Sequence, residues 1–196
     1  MSGGTAVARA SARHDPALVA AFLTVVLLAA LFLAPRPVPN ADPPSLRLAV
    51  ADLRGHAIVI LDTSSPGEVR RIAVPGGPHE LVALPDGRLV VSLEQAGALA
   101  LVDARSGAVE TIEVGGTPHG LALQGDTLVV TDRSVNGVRR FAIGTWQERG
   151  TIAAGAWPHI VAAQPDGTLA VANAASDTLS IGARVLPVSH VPESVA

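Results

Sequence analysis

Three histidines occupy the same place in three successive repeats. His79, His119 and His159 lie 40 residues apart, each directly after a proline. Glu193, after Pro192, holds the fourth such place. If the repeats stand around a common axis, equivalent positions meet at one level. Three imidazoles and a carboxylate gathered there form a donor set for one divalent metal such as zinc, iron or manganese. Trp157, next to His159, would wall the mouth of that site. The same histidines also have a plainer use. Imidazole both donates and accepts, so each could bond backbone between neighbouring repeats with no metal at all. A metal site further requires that the side chains converge and that outer partners orient them.

Other chemistries find little support. There is no cysteine, which excludes disulfides, thiolate metal sites and a cysteine nucleophile. Ser92, Ser134 and Ser180 lack the Gly-x-Ser-x-Gly setting of an activated serine. No glycine-rich loop leads from a strand into a helix to cradle phosphate. A net charge of −3 gives no electrostatic basis for binding nucleic acid. Only Phe141, Trp146 and Trp157 are aromatic outside the N-terminal segment, too few for a platform that stacks bases. All 14 basic residues are arginine, which reflects base composition more than chemistry.

The elements that must position the histidines follow from the repeat. Gly76-Gly77-Pro78-His79, Gly115-Gly116-Thr117-Pro118-His119 and Gly155-Ala156-Trp157-Pro158-His159 each open a unit of short apolar runs. The runs are rich in Val, Leu and Ala and are bounded by Gly, Pro, Asp or Ser, as strands are. A period of about 40 residues built this way predicts four-stranded units stacked into a β-propeller. Small residues after each Pro-His, such as Ala83, Gly120, Ala122, Ala162 and Ala163, suit strands crowded near an axis. Asp86, Asp126 and Asp166 mark inner turns, where Asp bonds local backbone. Asp52, Asp132 and Asn173 end the second strands and are expected to cap them. Arg70-Arg71 and Arg139-Arg140 are expected to be solvated charges on outer strands.

The units resemble the YVTN family of β-propeller repeats. The family tetrapeptide reads Val129-Val130-Thr131-Asp132 and Ala170-Val171-Ala172-Asn173 here, with looser copies at Ala49-Val50-Ala51-Asp52 and Val90-Val91-Ser92-Leu93. The likeness covers nearly all of residues 46–196 and implies an all-β fold of about four four-stranded blades. It implies little about function, because the repeat is a structural unit. The first unit lacks its first strand, while Pro192–Ala196 reads as a spare copy of that strand. Closure within one chain, with the terminal strands sharing a blade, is therefore expected. A ring shared between two chains (a homodimer) and a fragment of a larger propeller remain open alternatives.

Residues 17–34 form an apolar run interrupted only by Thr24. As a helix it would span about 27 Å, close to a bilayer core. Arg9, Arg13 and His14 precede it, which predicts a cytoplasmic tail over 1–16 and export of the rest. The run exceeds the usual apolar core of a cleaved signal, so an uncleaved signal anchor is expected. Residues 35–45 carry five prolines and form a stiff linker. The expected protein is thus a membrane-anchored, extracytoplasmic propeller acting as a binding module for a protein or small molecule at one end. A metal-dependent enzyme, lyase- or lactonase-like, with its site at the axis, is the alternative, and a truncated relic of a larger propeller is a third reading.

Overall fold

The computed structural model describes residues 47–195 apart from Ser64 and Pro66. The tail, anchor and linker expected over 1–16, 17–34 and 35–45 lie outside the described residues. Among the described residues no helix is long and apolar enough to cross a membrane.

Among the described residues, fifteen strands form four antiparallel sheets in chain order. Sheet 1 contains β1 (Arg47–Asp52), β2 (Ala57–Asp62) and β3 (Val69–Ala73). Sheet 2 contains β4 (Pro78–Ala83), β5 (Leu89–Leu93), β6 (Ala98–Val102) and β7 (Val109–Glu113). Sheet 3 runs from β8 (Pro118–Gln124) through β9 (Thr127–Asp132) and β10 (Gly137–Ala142) to β11 (Glu148–Ala153). Sheet 4 runs from β12 (Pro158–Ala163) through β13 (Leu169–Asn173) and β14 (Thr178–Ile181) to β15 (Arg184–Pro187).

Burial falls from the middle strands outward. Every residue of β5, β6 and β9 is buried, whereas every residue of β11 is exposed. This follows from face-to-face stacking, in which a middle strand is covered on both faces and alternation of side chains feeds two cores at once. Val91 joins the core between sheets 1 and 2 with Ile58, Ile60 and Ile72. Its neighbour Val90 joins the next core, with Leu128, Val130 and Phe141 of sheet 3. Val129 and Val138 then meet Val161 and Val171 of sheet 4. The first strands β4, β8 and β12 line up side by side, and β1, the second strand of its unit, lies next to β4.

Each Pro-His step begins a first strand and disturbs its register. Pairing of β4 with β5 shifts between Pro78 and Leu81, and that of β8 with β9 between Pro118 and Leu121. Proline donates nothing to a ladder, so it fits a strand start, and the bulge re-aims the histidine behind it. The amide freed by the bulge is captured from the second strand. Ser92 Oγ accepts from the Glu80 amide at 3.0 Å, and Thr131 Oγ1 from the Gly120 amide at 2.6 Å. Thr131 also donates to the His159 carbonyl at 2.9 Å, tying sheet 3 to sheet 4 at the axis.

The end of the second strand fixes the loop before Pro-His. Asp132 Oδ1 accepts from the amides of Thr117 and Ser134 at 3.0 and 2.9 Å, and Asn173 Oδ1 accepts from the Gly155 amide at 3.0 Å. A Cβ on Gly116 (φ +70°) would collide with the Asp132 carboxylate, so the glycines before Pro-His and the polar end of the tetrapeptide require each other.

Two expectations change. Arg139 is not a solvated rim charge: its side chain is 13 % exposed and bonded to Asp132 and Glu148 at 3.1 and 2.7 Å. Its guanidinium also donates to the Val114 carbonyl and covers the Phe141 ring. Arg139 lies on β10, inside sheet 3 between β9 and β11, and the length of its stem lets it reach the nearly buried Asp132 carboxylate. Sheet 1 keeps three strands, and Pro192–Val195 forms no strand. The terminal strands of one chain therefore do not share a blade among the described residues.

Candidate functional site

The three repeat histidines converge. Their ring centroids are 3.8 Å apart for His79 and His119, 4.2 Å for His119 and His159, and 6.1 Å for His79 and His159. His119, in the middle, is fully buried. Convergence follows from the side-by-side first strands, each of which delivers its histidine one residue after the proline that opens it.

Two further residues complete the cluster. Glu94 begins a 3-10 turn after β5, and Arg133 directly follows β9. Both stand one residue after a tetrapeptide. The ladder pairs Pro78 with Leu93 and Pro118 with Asp132, which brings that next residue beside the histidine step. Sequence reasoning passed over them because Glu and Arg differ in type, although their common repeat position was a usable signal. The same position holds Leu53 and Ala174 in the other units.

The hydrogen bonds define protonation. Glu94 accepts from Arg133 at 2.7 Å and from His119 Nδ1 at 3.0 Å. Arg133 donates its other terminal nitrogen to His119 Nε2 at 2.8 Å. A carboxylate only accepts and a guanidinium only donates, so His119 is neutral with its proton on Nδ1. Burial is the chief reason why its pKa falls to about 2, and His79, Arg133 and His159 push it the same way. His159 Nδ1 donates to the Glu193 carbonyl at 3.1 Å. Its Nε2 faces His119 Nε2 at 3.2 Å, lone pair towards lone pair. Burial and then Arg133 hold His159 below its ordinary pKa, and burial does the same for His79. His79 Nδ1 is buried without a hydrogen-bond partner, as is Arg133 Nε. The Arg133 guanidinium lies 4.8 Å above the ring of Trp157, which is 54 % exposed at the mouth of the cluster.

One ligand atom each from His79, Glu94 and His119 lies within 4.8 Å of the others. Glu193 presents its backbone carbonyl to His159. Two surface clefts, one walled by Arg47, Ala83 and Arg88 and another by Gln124, Val138 and Ser180, include none of these histidines in their walls.

Comparison with solved structures places this architecture. Hydrazine synthase from Kuenenia stuttgartiensis superposes with a TM-score of 0.61 at 24 % identity, over 69 % of this chain and 41 % of that one. Virginiamycin B lyase from Staphylococcus aureus gives 0.62 at 15 % identity, over 78 % and 58 %. A protein from Lactobacillus plantarum gives 0.59 at 22 % identity, over 76 % and 54 %. The fold is a β-propeller. At these identities the likeness is one of fold alone, and this chain spans about two fifths to three fifths of the length of these propellers. No protein-family model and no curated protein matches the sequence.

Proposed function

We propose that the chain is a membrane-anchored, extracytoplasmic propeller of the YVTN type that acts as a binding module. Its binding end is the histidine cluster, and the cluster holds one divalent metal. The observation that carries this reading is the meeting of His79, Glu94 and His119 ligand atoms within 4.8 Å, with His79 Nδ1 buried, without a hydrogen bond and 4.0 Å from Glu80 Oε1. Two imidazoles and a carboxylate are a donor set suited to zinc. An ion replacing the proton between His119 Nδ1 and Glu94 Oε2 would leave the Arg133 bonds to Glu94 and to His119 Nε2 in place. Arg133 would then act as the outer partner that orients both ligands. A partner protein or small molecule would complete the coordination from the side of Trp157. The anchor rests on the apolar run over 17–34 and the arginines before it.

The number of ligands favours one further reading. Three protein ligands leave a coordination position open, as in catalytic zinc sites, which suits a metal-dependent lyase-like activity.

Isothermal titration of the detergent-solubilised full chain with zinc chloride tests the metal. The expected result is one site per chain, weakened at least tenfold by Glu94→Gln. That variant keeps shape and hydrogen bonding but removes the anionic ligand. Equal zinc affinity in the wild type and the variant, or no binding at micromolar zinc, would overturn the reading.

A further inference from the structure

A cleft of about 410 Å³ opens between sheets 3 and 4, a volume within the usual range for small-molecule sites. Its walls follow from strand alternation. Val138 and Arg140 stand two apart on β10 and so share a face. Val138 packs with Val161 and Val171, which turns that face towards sheet 4. On β11, Ile152 stands opposite Val138. On sheet 4, Ser180 of β14 stands opposite Val171 of β13 and shares its face. Val138, Ile152, Leu169 and Val171 make the walls largely apolar, and no Asp or Glu is among the wall residues.

Arg140 brings a positive charge into these walls. Its Nη2 donates to Gln124 Oε1 at 3.2 Å, and Gln124 Nε2 donates in turn to the Gly167 carbonyl at 2.7 Å. The Gln124 side chain thereby spans the two sheets and holds the guanidinium in place. A guanidinium carries five N–H donors, yet Gln124 is the only hydrogen-bond partner of Arg140 among the described residues. Nε is buried without a partner, a costly arrangement that calls for an acceptor. Nη1 is unpaired too and remains open to solvent. Gly150 faces Arg140 from β11, and a Cβ there would meet nothing within 4 Å, so this position leaves the guanidinium uncovered. Ser180 supplies a second donor. Its Oγ accepts from Asn173 Nδ2 at 2.9 Å, which leaves the hydroxyl proton free to donate.

We propose that this cleft binds a compact organic monocarboxylate, with its anionic group on Arg140 and its hydrocarbon part between Val138, Ile152, Leu169 and Val171. A carboxylate only accepts, which matches a guanidinium and a hydroxyl that are left to donate. An uncharged ligand would leave the Arg140 charge unanswered. A second negative charge would meet no second cation, since Arg140 is the one charged residue among the wall residues. The cleft contains none of the axial histidines, so this site stands apart from the proposed metal.

Isothermal titration of the full chain in detergent, with a chelator present, tests the site with cyclohexanecarboxylate as the probe. The expected result is one site per chain with a Kd of about 1 mM, as suits a ligand of that size. Cyclohexanecarboxamide, which lacks the charge, and acetate, which lacks the apolar body, should each bind at least tenfold more weakly. Arg140→Gln keeps hydrogen bonding without the charge and should abolish binding. Ile152 is 45 % exposed and diagonal to Arg140 across β10 and β11, so Ile152→Glu should leave the fold intact and place an internal carboxylate on the guanidinium. That variant should abolish binding as well, and it keeps the test decisive if Arg140→Gln does not fold. No saturable binding by the wild type would overturn the proposal. So would equal binding of the amide or of acetate, or a folded variant that binds the probe as the wild type does.

Discussion

Mild acid should loosen this propeller through His119. The perturbation is a shift from pH 7 to pH 5 with a chelator present throughout. In the fold, burial is the largest cause that holds the His119 pKa near 2, so the imidazole stays neutral across this range. In the unfolded chain it titrates at its ordinary 6.5. The unfolded state thus binds a proton below pH 6.5 that the folded state refuses, and stability falls as pH falls. Each pH unit below that value gives the unfolded chain about 1.4 kcal/mol, so about 2 kcal/mol is lost by pH 5 and almost none at pH 7. His79 and His159, also depressed by burial, act in the same direction. Glu80, raised by burial, acts in the opposite one because its folded form takes a proton more readily. Asp52 and Asp132 are held below 3.8, so their contribution is lost only in stronger acid. Urea unfolding of the full chain in detergent, followed by fluorescence of Trp146 and Trp157, should show the midpoint falling steadily from pH 7 to pH 5. A midpoint that stays level or rises would mean that the folded cluster accepts a proton, and the neutral-histidine assignment would fail.

Asp132→Ala should cost about 3 kcal/mol, because it strips a nearly buried carboxylate from Arg139 and frees the Thr117 and Ser134 amides; thermal unfolding reads this directly. Gly120→Ala should cost about 1–3 kcal/mol, since its Cβ would meet the His159 carbonyl at 2.5 Å and Ile160 Cα at 2.7 Å. The same variant should weaken zinc binding in a calorimetric titration, because it separates β8 from β12 where the histidines meet.

The fold was legible because the repeat states it several times over. Pro-His at a fixed interval, turns at Asp86 and Asp166, and short apolar runs each fix strand positions independently. The turns behave as read: Asp86 Oδ1 accepts from the Arg88 amide at 3.0 Å, and Asp166 Oδ1 from the Thr168 amide at 2.8 Å. The convergence of His79, His119 and His159 was also legible, since equivalent positions of stacked blades share a level. Glu94 and Arg133 were less so. They sit at one repeat position but carry opposite charge, and only the ladder pairing shows that this position lies beside the histidines. Arg139 misled for a different reason: it was read as part of an outer strand, but it lies on β10 inside sheet 3, within reach of its partner Asp132. The ends of the arc were hardest to read. Repeat phase alone makes residues 192–196 a copy of a first strand, without showing what that segment pairs with.

Zinc-edge X-ray absorption on the zinc-loaded full chain examines the proposed metal centre most directly. The account predicts a shell of nitrogen and oxygen at about 2.0–2.1 Å with outer scattering from two imidazoles. It also predicts loss of the carboxylate contribution in Glu94→Gln. A spectrum without imidazole scattering, or a chain that retains no zinc, would contradict it and leave His79, His119 and His159 as the packing of an axis.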